Sequence, residues 1–238
     1  RKTVVAEPPT LDMVPPLALD IDGTLTTPDH RIDPRVFELL PDWGAPIAFA
    51  TGKAFPYPVA LAHFLGREET VIAENGGVAY ADGETTVVGD PDAARAVVEA
   101  FRERGGEIGW GDGDTVNRWR ETEVALSTDA DEALLREVAA AADGVEVVDT
   151  GYAYHVKSTG VSKGRALGVV ADALGLAADE FVAVGDSEND VSTFEVAGES
   201  YAVANADDAA REAADEVLDE GFMDGTVSVL ERLRERAE

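Results

Sequence analysis

Short apolar runs, each closed by a polar or glycine-bearing turn, recur along the chain: Leu17-Ala-Leu-Asp20, Ile47-Ala-Phe-Ala50, Val71-Ile-Ala73, Phe181–Val184 and Tyr201–Val203. Runs this short that do not alternate with polar residues fit strands covered on both faces. Helix-period segments lie between them. Pro34–Leu40 has Asp33 as a candidate N-cap and proline at its first position, and Pro58–Leu65, Lys163–Leu174 and Val191–Ala197 are further expected helices. Strands that alternate with helices build a parallel sheet with helices on both faces. The expected fold class is α/β, a Rossmann-like parallel-sheet core.

The middle of the chain breaks this rhythm. Thr85–Val88 alternates like a strand, and Pro91–Arg104 reads as an amphipathic helix capped by Asp90. A strand is expected over Thr122–Ser127, a helix over Asp131–Ala142, and strands over Val145–Val148 and Tyr152–Val156. Two helices among strands form a small α+β unit, so the expected organisation is a discontinuous core of 13–80 and 156–238 with an inserted domain at 81–155. Arg1–Asp12 bears prolines and no periodicity, and is expected to be a flexible tail, with Met13 as the native start. A chain of 238 residues is long enough for one large domain and a modest second one.

Charge narrows the range of partners. The 48 Asp and Glu residues outnumber 19 Lys and Arg, for a formal net charge of -29. Nucleic acids and anionic membranes would be repelled by such a surface. No apolar run approaches the roughly 18 residues of a membrane span, and no secretory signal opens the chain, so a soluble cytoplasmic protein is expected. The absence of cysteine excludes disulfides, thiol nucleophiles and thiolate metal sites. Carboxylates dispersed over the whole chain suit a protein working in concentrated salt, where counter-ions screen self-repulsion. Arginine supplies most of the positive charge, and the lysines are Lys2, Lys53, Lys157 and Lys163.

Four stations carry chemistry. Asp20-Ile-Asp22-Gly23-Thr24 follows the first apolar strand, where alternation puts both carboxylates on one side at the edge that binds ligands in open α/β sheets. Two close carboxylates repel unless a proton or a hard divalent cation relieves them. Thr51-Gly52 ends the second strand, Lys163 opens a helix in Gly160-Val-Ser-Lys163-Gly164, and Gly185-Asp186-Ser187-Glu188-Asn189-Asp190 ends a later strand. In order and type these stations resemble the four motifs of the haloacid dehalogenase superfamily of phosphotransferases, and the likeness runs over essentially the whole chain from Met13. Glu74-Asn75-Gly76-Gly77 is similar to a stretch of the Cof-type branch, whose cap is inserted between the second and third motifs. The short cap and overall length resemble those of archaeal phosphoglycolate phosphatases.

That resemblance implies roles. Asp20 would be the nucleophile that forms an aspartyl phosphate, and Asp22 the acid and base for the leaving group and the attacking water. Thr51, Gly52, Lys163 and Asn189 would bind the phosphoryl group of the substrate. Magnesium would be held by a side-chain oxygen of Asp20, the backbone carbonyl of Asp22, Asp186 directly, and Asp190 directly or through water. Lys53 either attracts substrate or is solvated. Arg118, Trp119, Arg120, His155 and Lys157 are cap residues that could face the substrate. The implied activity is hydrolysis of a small phosphomonoester, 2-phosphoglycolate, by a monomer or homodimer. Alternatives are a broader sugar-phosphate phosphatase, a phosphomannomutase-like enzyme, and a non-catalytic binding protein on the same fold.

Overall fold

The computed structural model describes residues 14–111 and 114–237, so the expected tail and start at Met13 lie outside the described residues. In chain order the first half contains β1 (Leu17–Asp20), α1 (Val36–Leu39), β2 (Ile47–Ala50), α2 (Pro56–Phe64), β3 (Val71–Ala73), β4 (Val78–Ala81), β5 (Glu84–Val87) and α3 (Pro91–Glu103). Next come β6 (Val124–Ser127), α4 (Glu132–Ala139), β7 (Val145–Asp149), β8 (Ala153–Ser158) and α5 (Lys163–Leu174). The chain closes with β9 (Val182–Gly185), α6 (Val191–Phe194), β10 (Glu199–Ala202), α7 (Asp208–Ala213), β11 (Glu216–Val217) and α8 (Phe222–Ala237).

Eight strands form one sheet in the order β11-β10-β9-β1-β2-β3-β4-β5. From β11 to β3 all neighbours are parallel, while β4 and β5 add an antiparallel hairpin at one edge. The parallel α/β core expected from the apolar runs is present, with a mixed edge. Alternation along β1 sorts the core. Leu17 and Leu19 join Phe49, Val71, Val229 and Leu230 on one face, under α2 and α8. Ala18, Ala48, Ala50 and Ala183 line the other face against Ala166, Leu167 and Val170 of α5. The small side chains on that face let α5 approach the sheet closely. Asp20 shares the parity of Ala18, so the last residue of β1 ends on the α5 side.

The inserted segment has its own three-stranded antiparallel sheet, β6-β8-β7, and its own core. Ala94, Val97, Val98 and Phe101 form the apolar stripe of α3 and pack with Leu135 and Val138 of α4 on Leu126 and Val156. Asp90 caps α3 by accepting from the amides of Asp92 and Ala93. Two strands differ in allegiance from the expected boundaries. β5 pairs with β4 in the large sheet although the insert was expected to start at residue 81, and β8 continues in the small sheet to Ser158, past 155. The Asp82-Gly83 turn, with positive φ at both residues, folds β5 back onto β4. No helix among the described residues is long and apolar enough to cross a membrane.

Candidate active site

β1 lies between β9 and β2, so the sheet order reverses about it, and the crevice at its carboxyl end is the expected ligand position in such a sheet. Asp20 ends β1, Thr51 follows β2 and Asp186 follows β9, which brings three separate stations to one edge. Lys163 arrives from the α5 side as the first residue of that helix, with the Ser162 hydroxyl accepting from the amide of Arg165.

Lys163 is wholly buried, and its Nζ donates to Asp20 Oδ1 at 2.7 Å, Asp190 Oδ1 at 2.7 Å and Asn189 Oδ1 at 3.0 Å. Burial alone would lower its pKa, but the carboxylates of Asp190 and Asp20 outweigh that and hold it above the ordinary lysine value. Asp190 uses its second oxygen to accept from the amides of Asp186 at 3.0 Å and Ser187 at 3.2 Å. Asn189 accepts from Lys163 and Ser187 and donates to Asn75 Oδ1 at 2.9 Å, so it serves as a strut for the ammonium.

Two carboxylate groups keep free valence. Asp20 Oδ2 is buried with no hydrogen-bond partner, and the Asp186 carboxylate accepts no hydrogen bond among the described residues. One oxygen each from Asp20, Asp186 and Asp190 lie within 4.8 Å of one another. Burial, then the charges of their acidic neighbours, push both Asp20 and Asp186 well above the ordinary carboxylate range. An all-oxygen donor set with an orphaned anionic atom fits a hard divalent cation. Gly23 is required beside it: at φ +86° a Cβ there would stand 1.9 Å from Asp186 Oδ2.

Asp22 stands at the mouth of the site. Lys53 Nζ donates to its Oδ1 at 2.5 Å, and the Thr51 hydroxyl lies 3.4 Å from Oδ2. Lys53 is therefore neither purely solvated nor unpaired. Thr51 is buried, and its hydroxyl accepts from the Lys53 amide at 3.0 Å. Asp20, Asp22, Gly52, Lys53, Ser187 and Asn189 share a cavity of about 170 Å³ with Tyr57, Trp110, Arg120, Tyr152 and His155.

Of the cap candidates, Arg120 and His155 line this cavity. Arg118 instead sits over the ring of the exposed Trp119, 5.9 Å from its centroid, and Lys157 is spent on Glu146 Oε1 and the Val161 carbonyl, each at 2.5 Å. Two buried acids that sequence reasoning gave no role hold the insert to the core. Glu74 accepts from the amides of Glu121 and Thr122 and from the Thr122 hydroxyl. Burial raises its pKa, and those donors partly offset the rise. Glu123 binds Arg120, His155 and, through its other oxygen, Asn75 Nδ2 at 2.9 Å. Glu123 was hidden inside an expected strand, whereas the first strand of the small sheet starts one residue later at Val124.

The comparisons with known proteins agree with this geometry. The haloacid dehalogenase-like hydrolase family matches residues 17–123 and 127–230. A Halorubrum lacusprofundi protein named phosphoglycolate phosphatase is 79% identical, over 95% of this chain and 100% of its own length. A Natronomonas pharaonis protein of the same name is 54% identical, over 94% of this chain and 99% of its own. The crystal structure of a Thermoplasma acidophilum protein superposes with a TM-score of 0.81 at 25% identity, covering 93% of this chain and 99% of that one. With its strand-end carboxylates, its buried lysine and a family match over nearly all of its described residues, the chain belongs to the haloacid dehalogenase-like hydrolases.

Proposed function

We propose that the protein is a magnesium-dependent phosphatase that hydrolyses 2-phosphoglycolate to glycolate and phosphate through an aspartyl phosphate on Asp20. The observation that carries the chemistry is Asp20 itself: it lines the cavity, and Lys163 fixes one carboxylate oxygen while the other has no hydrogen-bond partner. One Asp20 oxygen attacks phosphorus, the other being the one that would face the metal, and the bond to the leaving oxygen breaks while Asp22 passes a proton to the departing alkoxide. Asp22 then takes a proton from water as the water oxygen attacks the aspartyl phosphate. The bond from phosphorus to Asp20 breaks and phosphate is released.

Thr51, Gly52 and Lys163 bind the phosphoryl oxygens, and Lys163 keeps Asp20 aligned, with Asn189 as its support. Asp20, Asp186, the Asp22 carbonyl and, directly or through water, Asp190 would hold magnesium, which when bound supplies charge neutralisation to the anionic phosphoryl group. The segment between β5 and α5 acts as a cap, with Glu74 and the Glu123 cluster fixing it over the sheet edge. The substrate is supported by two closely similar relatives bearing the phosphoglycolate phosphatase name and by the small cavity, which lies below the roughly 300–1,000 Å³ of common drug-sized sites. Phosphate release with magnesium in molar salt tests it: kcat/KM for 2-phosphoglycolate should exceed that for glucose 6-phosphate by at least about tenfold, the scale of a few lost contacts. A higher value for the hexose phosphate would replace this substrate with a sugar phosphate.

A further inference from the structure

The cap side of the cavity carries a charge set that phosphoryl transfer itself does not use. Glu123 is buried and accepts from His155 Nδ1 at 2.7 Å and from Arg120 Nη1 through the same oxygen. Arg120 is held further by its Nε on the Val116 carbonyl at 3.2 Å and by Nη1 on the Gly52 carbonyl at 2.8 Å. That last bond ties a cap arginine to the loop just after Thr51. Arg120 Nη2 and His155 Nε2 have no hydrogen-bond partner among the described residues, and both side chains line the cavity that holds Asp20 and Asp22.

Burial would raise the pKa of Glu123, but the charges of His155 and Arg120 overcome it and hold the carboxyl at about 2. Glu123 is therefore ionised. Arg120 balances that carboxylate, which leaves Arg120 Nη2 as a free donor facing the cavity beside the unpartnered Nε2 of His155. Tyr57, Trp110, Val116 and Ala153 supply largely apolar walls around it, which cannot satisfy that donor.

We propose that Arg120 Nη2, with His155 packed beside it, forms the receptor for a carboxylate on the leaving group, and that Glu123 is the positioning residue that aims the guanidinium. This proposal rests on the small-phosphoacid function proposed above and names the residues that read the acid. A carboxylate accepts a charge-assisted hydrogen bond from the guanidinium, whereas a neutral hydroxyl accepts a weaker one. The phosphoryl end has its own partners in Asp20, Thr51 and Lys163, so the two anionic ends of a short substrate are held from opposite sides. Arg118 and Lys157 are excluded from this role by their contacts elsewhere.

Two variants keep Glu123 paired while removing an outward donor. In Arg120→Gln the amide nitrogen can donate to Glu123, and the outward guanidinium arm is lost. In Arg120→Lys an ammonium can serve Glu123 and the Gly52 carbonyl, and the second guanidinium arm is lost. The readout is the ratio of kcat/KM for 2-phosphoglycolate to that for 2-hydroxyethyl phosphate, in which a CH2OH group replaces the carboxylate. Either variant that retains a cooperative melting transition decides the matter. The ratio should fall by about ten- to a hundredfold, chiefly through KM for the acid, as loss of a charge-assisted hydrogen bond predicts. An unchanged ratio, with both substrates losing equally, overturns the receptor while leaving the phosphatase intact. A parent protein that does not prefer 2-phosphoglycolate over the alcohol overturns the substrate proposal and the receptor with it.

Discussion

At Lys163 one ammonium neutralises part of a pocket that holds three aspartates, and the remaining negative charge has consequences for pH. Asp20 and Asp186 have raised pKa values, by burial first and then by acidic neighbours. Groups with raised carboxyl pKa values favour the folded state at low pH and lose that contribution as pH rises above the ordinary carboxylate range. A divalent cation relieves the same repulsion. The gain in melting temperature on adding magnesium should therefore be larger at pH 8 than at pH 5, as scanning calorimetry with and without the ion at each pH would show. An equal gain at both values would detach the metal from these carboxylates. Most of these residues could be found in the sequence because each follows an apolar run, and parallel strands deliver their carboxyl ends to one edge. Glu123 could not be found so. It meets His155, which is 32 positions away, only after β6 and β8 pair, and no local pattern announces that meeting.

At the scale of elements, local chemistry set the starts of α3, α5 and α6, whereas α1 starts at Val36 after an Arg35 cap and not at Pro34 after Asp33, and α2 starts at Pro56 and not at Pro58. Asp90 was legible as the cap of α3 because it precedes a proline and an amphipathic stripe, and its carboxylate does accept from two amides. Replacing it in Asp90→Ala should cost about 1 kcal/mol, measured as a lower urea midpoint with unchanged slope; an unchanged midpoint would mean that the cap contributes nothing. β5 was legible as a strand, but its sheet was not. Its residues are mostly exposed and alternate weakly, so periodicity gives no partner. The informative signal was the Asp82-Gly83 turn beside Val78–Ala81, since aspartate followed by glycine suits the positive φ values of a tight hairpin. α6 as a regular helix ends at Phe194, short of the expected Ala197, but Glu195 keeps helical dihedrals and the Ala197 amide still donates to the Thr193 carbonyl, so the rest of the expected length is an irregular turn before β10.

For the molecule as a whole, the net charge of -29 is the dominant global property. Lys163, Asp20 and the Glu123 cluster sit inside and are shielded from solvent ions, whereas exposed carboxylates repel one another across the surface unless salt screens them. The melting temperature should rise from millimolar to molar potassium chloride, and its constancy over that range would contradict a salt-adapted surface. Kinetic work on the site therefore belongs in high salt, where loss of activity reports chemistry and not unfolding. The central claim, that Asp20 is the nucleophile of a phosphatase, is tested most directly by the turnover of Asp20→Asn with magnesium under those conditions. The amide keeps the size and the contact with Lys163 but cannot attack phosphorus, so kcat should fall by at least about a thousandfold with cooperative melting preserved. Turnover within about tenfold of the parent would place the nucleophile elsewhere and contradict the account.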